Sequence, residues 1–276
     1  LIEVGSLHCG YGDHEVLKGI SLRVDSGEMT GVLGPNGSGK TTLLLALSGI
    51  IPVTSGSIRL AGHEVGEQPA RWIARRMACV PQRSEVSFPF KCLSLVLMGR
   101  YPYLDGWGSY SDADMAAALG AMEQTGTSHL AHRPIKEVSG GESQMVVIAR
   151  ALAQETEIML LDEATSNLDV ARKIEVFDLL SERNRNGATL MCVMHDLNLA
   201  ALYCRRLIFL KNGKVALDGP TEEIFSDENL SNIYDTEIRV SAHPVIGIPQ
   251  AHFVPLRGDG CGADARGSRR GNRGCG

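Results

Sequence analysis

The sequence predicts an α/β fold with a mainly parallel core sheet, an N-terminal antiparallel β subdomain and an inserted α-helical subdomain. Three observations predict it. Gly34-Pro35-Asn36-Gly37-Ser38-Gly39-Lys40-Thr41 matches the phosphate-loop pattern G-x-x-x-x-G-K-[ST], set between a short apolar strand, Met29 to Leu33, and an apolar helix from Thr41 to Ser48. Ile158 to Leu161 and Ala188 to Met194 are apolar runs of strand length, as expected of strands buried on both faces. Residues 1–25 instead alternate polar and apolar positions, whereas residues 83–155 hold helical patterns.

In chain order, Leu1 to Asp25 forms two alternating runs broken at Gly10, Gly12 and Asp13, a β-hairpin or meander. Tyr11 stands at the break, where a ring either stacks on a purine or packs half-buried in a turn. In the phosphate loop, Gly34, Gly37 and Gly39 let the backbone curl so that successive N–H groups face phosphate oxygens, and the following helix adds its positive end. Lys40 supplies a mobile charge for the outer phosphates. The Thr41 hydroxyl suits Mg²⁺, which bridges phosphates and keeps most of its waters.

Ser57 to Leu60 and Met77 to Val80 read as strands, with a helix over residues 68–75 between them. Gln82 follows the second strand, where open α/β sheets hold ligands; a capping or loop role fits the same position. Residues 83–138 then change character. Phe88-Pro89-Phe90 has no period, and Tyr101, Tyr103, Trp107 and Tyr110 gather much of the aromatic content. Ser111-x-x-Asp114 is a capping box, followed by Met115, Ala118, Leu119 and Met122 at helical spacing. The stretch reads as a helical insertion whose rings either pack in the core or form a docking surface for another protein.

Ser139-Gly140-Gly141-Glu142 opens an apolar helix running to about Ala153, and its small residues leave N-terminal N–H groups accessible to an anion as a second phosphate contact. The strand Ile158 to Leu161 ends in Asp162-Glu163. Neighbours on a strand point apart, so the two acids take different work: Asp162 towards Mg²⁺ through water, Glu163 towards an attacking water as general base. Asp169 to Arg185 is a helix, and the strand Ala188 to Met194 ends at His195, which is either a γ-phosphate contact or a structural histidine. Lys211-Asn212-Gly213-Lys214, between Leu207 to Leu210 and Val215 to Asp218, is a hairpin signal. Thr221 to Tyr234 reads as one helix, and Ile238 to Leu256 adds a short strand or two. From Arg257 on, seven of twenty residues are glycine and almost none is apolar, so residues 257–276 are expected to be a disordered tail without function.

A chain of 276 residues with 43% hydrophobic content supports a sizeable core. No apolar run approaches the roughly 18 residues of a membrane span, and no basic-then-apolar leader opens the sequence. A cytosolic or peripheral subunit is the expectation. The seven cysteines form no C-x-x-C pair and are expected to be buried free thiols. The formal charge is −5; the last twenty residues carry +3, leaving −8 on the rest, which argues against nucleic acid as a partner.

With the phosphate loop, Gln82, Ser139 to Glu142, Asp162-Glu163, Ser166-Asn167-Leu168-Asp169 and His195 in this order, residues 1–256 resemble the ATP-binding subunit of an ABC transporter. The resemblance implies a phosphate-loop NTPase domain over 1–256, with its helical subdomain at about 83–155, that uses ATP and Mg²⁺. It makes Tyr11 the adenine-stacking residue and Gly34, Pro35, Asn36, Gly37, Ser38, Gly39, Lys40, Thr41 and Thr42 the phosphate and Mg²⁺ contacts. Gln82 becomes the Mg²⁺ sensor that couples to the membrane partner, Asp162 the Mg²⁺-water ligand, Glu163 the catalytic base and His195 the γ-phosphate switch. It further implies that Ser139, Gly140 and Gly141 complete the site of a second copy, two chains closing head to tail around two ATP. Leu97-Met98-Gly99-Arg100-Tyr101-Pro102, His195-Asp196-Leu197-Asn198-Leu199-Ala200 and Pro249 to Pro255 look like importers of ferric siderophores, haem or cobalamin. These imply permease subunits, a substrate-binding protein and a peripheral place on the cytoplasmic face of the inner membrane.

Two departures stand out. Glu142 replaces the commoner Gln, and Ser143 and Met145 stand where Arg is frequent. Activity is expected to survive because Gly140 and Gly141 keep their backbone donors, while lost Arg contacts are expected to weaken helix packing. A soluble ABC ATPase acting on ribosomes or DNA, which usually fuses two domains or inserts coiled coils, is the competing reading. A small-molecule kinase would leave Ser139 to Glu142 unexplained.

Overall fold

The computed structural model describes residues 1–82, 88–104 and 108–255. β1 (Ile2–Tyr11) and β2 (His14–Val24) form the expected hairpin. The chain then passes through β3 (Met29–Leu33) and α1 (Lys40–Leu47) before returning to that sheet as β4 (Ser55–Leu60) and β5 (His63–Glu64). The antiparallel sheet runs in the order β2-β1-β4-β5. After α2 (Ala70–Ala74) and β6 (Met77–Val80) comes the helical insertion, α3 (Cys92–Leu97), α4 (Asp112–Gln124) and α5 (Gly140–Ala153). The remainder is β7 (Ile158–Asp162), α6 (Val170–Arg185), β8 (Thr189–Val193), α7 (Leu197–Tyr203), β9 (Arg206–Lys211) and β10 (Lys214–Pro220). Two short helices, α8 (Thr221–Ile224) and α9 (Asp227–Tyr234), and a hairpin of β11 (Ile238–Ala242) and β12 (Pro249–Phe253) follow.

The core sheet has the order β10-β9-β3-β8-β7-β6, with β3 and β6 to β9 parallel and β10 antiparallel at one edge. Alternate residues on its strands build two separate apolar layers. Ile158, Leu160, Met191, Val193, Ile208 and Leu210 pack with α1 and the antiparallel sheet. Met159, Leu161, Leu190, Cys192, Leu207 and Phe209 pack with the helical insertion, α6 and α7. Burial on both faces explains why these strands read as unbroken apolar runs rather than as alternation. Parallel strands also place the ends of β3, β6, β7 and β8 on one side of the sheet, and the phosphate loop, Gln82, Asp162-Glu163 and His195 follow those four strands directly.

The expected capping box is present, Ser111 and Asp114 capping α4, and the structure adds a second, Ser139 and Glu142 capping α5. Three expectations change. The helix over 68–75 is limited to Ala70–Ala74, because the extended Pro69 precedes its first turn. Thr221 to Tyr234 is two helices, because Ser226 adopts extended backbone and its side chain caps a new start by accepting from the N–H of Asn229. The aromatic surface divides: Tyr101 is exposed, but Tyr110 packs against the core and the Tyr103 hydroxyl donates to the Gln154 carbonyl at 2.8 Å. Met145 is buried in the core, and the Gln144 side chain donates to the Ala164 carbonyl at 2.8 Å. Of the cysteines, Cys9, Cys92, Cys192 and Cys204 are buried free thiols and Cys79 is half-buried. Trp107, Leu256, Cys261, Cys275 and the tail 257–276 lie outside the described residues.

Candidate active site

The loop Gly34 to Gly39 closes on itself through Lys40, whose Nζ donates to the carbonyls of Gly34 (2.9 Å) and Pro35 (3.1 Å). Two glycines are required by the surroundings. A Cβ on Gly34, at φ +141°, would lie 2.0 Å from the Leu210 carbonyl oxygen, and one on Gly39, at φ +102°, 2.5 Å from the Leu17 side chain. Gly39 is also the N-cap of α1, where it offers no side-chain bond, so the first N–H groups of the helix are left for an outside acceptor. The Ser38 hydroxyl is buried with no partner.

At the end of β7, Asp162 is buried and its Oδ1 also lacks a partner. Burial raises its carboxyl above the ordinary range, against a hydrogen bond from the Thr41 side chain and the charge of Lys40. Burial likewise lowers Lys40, with Glu163 and Asp162 opposing. Mg²⁺ and a nucleotide phosphate fit this set: hard oxygens of Thr41 and Asp162 side by side, a buried orphan carboxylate oxygen, and a loop with no room for a Cβ at Gly34 or Gly39.

Glu163 takes a left-handed backbone, φ +46°, held by its N–H donating to the Val193 carbonyl at 3.1 Å. The twist turns its side chain away from the course of β7. Gln82 Nε2 donates to Glu163 Oε2, and His195 Nε2 faces Glu163 Oε1. The carboxylate is therefore oriented from both sides by residues at the ends of two neighbouring strands, β6 and β8.

Glu163 and His195 share a cleft of about 600 Å³ with Asn36, Gly37, Gly39, Lys40, Thr41 and Thr42, together with His14 to Val16, Lys18, Asn212 and Gly213; Gln82 and Asp162 are not among its lining residues. The Asn212-Gly213 turn was legible only as a hairpin, with no sign that it folds over β2: the Gly213 carbonyl accepts from Lys18 N–H at 2.8 Å. Tyr234 is a second addition. It reaches the backbone of Gly34, and burial pushes its hydroxyl up to about 12. Tyr11 is half-exposed on the hairpin rim, paired with His14, rather than among the residues that line the cleft.

Ser139, Gly140 and Gly141 lie apart from all of these. Ser139 and Gly141 line a different cleft of about 500 Å³, with His129, Glu142, Asn167 and Asp169. The capping box there is complete: Glu142 accepts from Ser139 N–H at 2.8 Å and from its hydroxyl at 2.8 Å, while Ser139 Oγ accepts from Glu142 N–H at 3.3 Å. The box takes up the first and fourth amides and leaves those of Gly140 and Gly141, the two positions without a Cβ. Within one chain, the starts of α1 and α5 face separate clefts.

Residues 17–166 match the ABC transporter family. The hemin import ATP-binding protein HmuV of Streptomyces coelicolor is 40% identical over 247 residues, covering 90% of this chain and 88% of that protein. The uncharacterized ABC transporter ATP-binding protein YvrA of Bacillus subtilis is 40% identical over 236 residues, but the chain spans only 53% of its length. Among solved structures, a metal-chelate type ABC transporter in an inward-facing conformation superposes with a TM-score of 0.79 at 29% identity, covering 93% of this chain and 97% of that one. The dimeric ABC transporter cassette MJ0796 gives 0.72 at 27% identity, covering 80% and 98%.

Proposed function

This chain belongs to the ABC transporter family, and from that premise we propose that it is the ATP-hydrolysing subunit that powers import of a metal chelate, a ferric siderophore, haem or cobalamin, through a membrane permease. The observation that carries the reading is the separation of the two anion-facing helix starts into two clefts. One chain holds both halves of a nucleotide site but not one whole site. Two copies placed head to tail supply each ATP with the loop of one and Ser139, Gly140 and Gly141 of the other.

The residues divide the work. Lys40 and the amides of the loop and α1 hold the phosphates, and Tyr11 stacks on the adenine from the rim. Thr41, Asp162 and Gln82 would hold Mg²⁺, which would supply neutralisation of charge developing on the phosphates. Glu163 accepts a proton from the attacking water; Gln82 and His195 aim its two oxygens so that a lone pair remains for that water. Because Gln82 also opens the segment that leads to the helical insertion, its bond to Glu163 links the chemistry to the surface a partner would touch.

That surface is a groove of about 1300 Å³ lined by Ile50 to Val53, Val65, Ile73, Met98, Gly99, Arg150 and Gln154. Ile50, and Tyr101 beyond it, are exposed apolar side chains of the kind that mark an interface. No helix of the described residues is long and apolar enough to cross a membrane. The permease, fed by a substrate-binding protein, would supply the span and hold this subunit peripherally on the cytoplasmic face.

Glu163→Gln tests the reading. It is expected to bind ATP with Mg²⁺, to accumulate as a paired species in light scattering, and to lose turnover by roughly 10²–10⁴-fold, the scale of a lost general base. Phosphate release at the parent rate would remove Glu163 from its role, and co-purification with nucleic acid rather than with a polytopic membrane protein would replace the transport reading.

A further inference from the structure

Arg100, a buried side chain, ties the C-terminal end of α5 to the wall of the groove, beside bonds made by Tyr103 and Gln154. Arg100 Nε donates to Asp114 Oδ1 of α4 at 2.9 Å, and its Nη1 donates both to the Ala153 carbonyl at 2.9 Å and to Glu155 Oε2 at 2.7 Å. Its guanidinium carbon stands 4.3 Å from the centroid of the Tyr103 ring, whose hydroxyl bonds the Gln154 carbonyl. Gly99 rests on the same helix end: a Cβ there would lie 2.2 Å from the Arg150 carbonyl oxygen. From the other side, the side chains of Arg71 and Arg75 on and beside α2 donate to the Pro102 carbonyl at 2.7 and 2.9 Å. Segment 98–104 is thus fastened at once to α2, to α4 and to the last turn of α5.

Apolar packing holds α5 sideways but is non-directional. A planar fork bonded to a helix carbonyl at one end is directional. At 14 residues α5 is about 21 Å long, so a tilt of about 10° about its tied end would move Gly140 by about 3.6 Å, more than a hydrogen-bond length. Whatever sets the C-terminal end of α5 therefore decides whether the Gly140 and Gly141 amides meet a phosphate.

We propose that Arg100 is a positioning residue which, by fixing the end of α5 to segment 98–104, sets where Ser139, Gly140 and Gly141 stand and makes the groove wall and the α5 start move as one piece. This rests on the reading that Ser139, Gly140 and Gly141 act on the nucleotide of a second copy. Arg100 lines neither the cleft of the phosphate loop nor that of Ser139 and Gly141. The carboxylate it meets is firmly ionised: the Ser111 backbone N–H and hydroxyl, with Arg100 after them, bring Asp114 down to about 2. The tie is therefore charged throughout the working pH range.

The test uses the full chain carrying Arg100→Met, with a fluorescent ATP analogue for binding by the unpaired chain, light scattering for ATP-driven pairing in a Glu163→Gln background, and phosphate release for turnover. Binding by the unpaired chain is expected within twofold of the parent, with pairing and kcat each at least tenfold lower, and Arg100→Lys, which keeps charge without the fork, in between. Where Arg100→Met does not fold, the double change Arg100→Met with Asp114→Asn removes the stranded charge and still lacks the tie, and the same split is expected of it. Pairing and kcat within twofold of the parent overturn the inference, as does a parallel fall of melting temperature, nucleotide binding and pairing, which marks a general loss of structure. A parent chain that does not pair on ATP removes the two-copy reading and this inference with it.

Discussion

α1 and α5 both begin at glycines, and they prepare their free amides in opposite ways. α1 starts from Gly39 with no side-chain cap and with Lys40 as its first residue. Its first amides have no side-chain partner, and its cation is held only by the carbonyls of Gly34 and Pro35. α5 starts from Ser139 inside a complete capping box and carries a carboxylate, Glu142, in its first turn. It is a finished helix that leaves two amides over, those of Gly140 and Gly141. Under the proposed two-copy reading, the contrast separates the half that binds alone from the half that does not: α1 has charge, cradle and amides without a side-chain cap, whereas α5 has geometry only and would act once a phosphate is held opposite it.

The largest expected effect comes from adding one methyl group at each start. In Gly39→Ala the new Cβ meets Leu17 at 2.5 Å and the residue must hold φ +102°. Backbone strain and overpacking together cost about 2–5 kcal/mol. Melting temperature and nucleotide binding by the unpaired chain should fall together. In Gly141→Ala the Cβ finds only Leu168 at 3.6 Å, an ordinary contact, in a helical position. That chain should melt as high as the parent or higher, by up to about 1 kcal/mol, and bind nucleotide unchanged. It should pair poorly because the methyl stands before the amide. Equal losses from both changes would break the comparison.

Lys40→Ala comes next. Removing a charge-assisted bond to phosphate costs about 1.5–3 kcal/mol, so binding of ATP by the unpaired chain should weaken roughly 10- to 150-fold in titration calorimetry. The fold should hold, since a buried ammonium bonded only to loop carbonyls is little missed by the core. Ser139→Ala is smaller and of a different kind. Loss of the N-cap should cost about 1 kcal/mol, seen as a drop of about 2–4 °C in melting temperature, with binding by the unpaired chain untouched and pairing reduced.

The same contrast explains what was legible in the sequence. The phosphate loop and the Asp162-Glu163 pair announce themselves because their chemistry is local: a curl needs glycines in a row, and a buried strand that ends in acids is costly without a ligand. The four-strand convergence of the loop, Gln82, Glu163 and His195 was legible as well, because strand ends of a parallel sheet fall on one side. What pattern reading missed depends on pairing between distant segments. The Asn212-Gly213 turn reads as a hairpin whatever it covers, and the break at Ser226 is a one-residue choice of cap over helix. Tyr103 and Tyr110 were drawn together with Tyr101 by composition, yet the arginines around segment 98–104 turn Tyr103 inward while Tyr101 remains in solvent.

The finest test is Glu142→Gln, which leaves the shape of the box and removes its charge. Gln at this position also bonds back to the N-cap, so the helix start should survive. In the parent, the Glu142 carboxyl is held below the ordinary carboxylate range by the Ser139 backbone N–H and hydroxyl. Such a depressed group contributes stability above its unfolded value and loses it as pH falls through the folded one, so the parent should lose stability in acid by a step that Glu142→Gln lacks. At neutral pH the same carboxylate competes with a phosphate for the positive end of α5. Its removal should tighten ATP-driven pairing by about two- to fivefold, the scale of one charge at a helix end. An exposed charge is screened within about 8 Å at physiological salt, so the gain should shrink as salt rises. A gain that ignores salt, or a loss of pairing at low salt, would mean that the carboxylate aims the Gly140 and Gly141 amides more than it opposes the anion they meet.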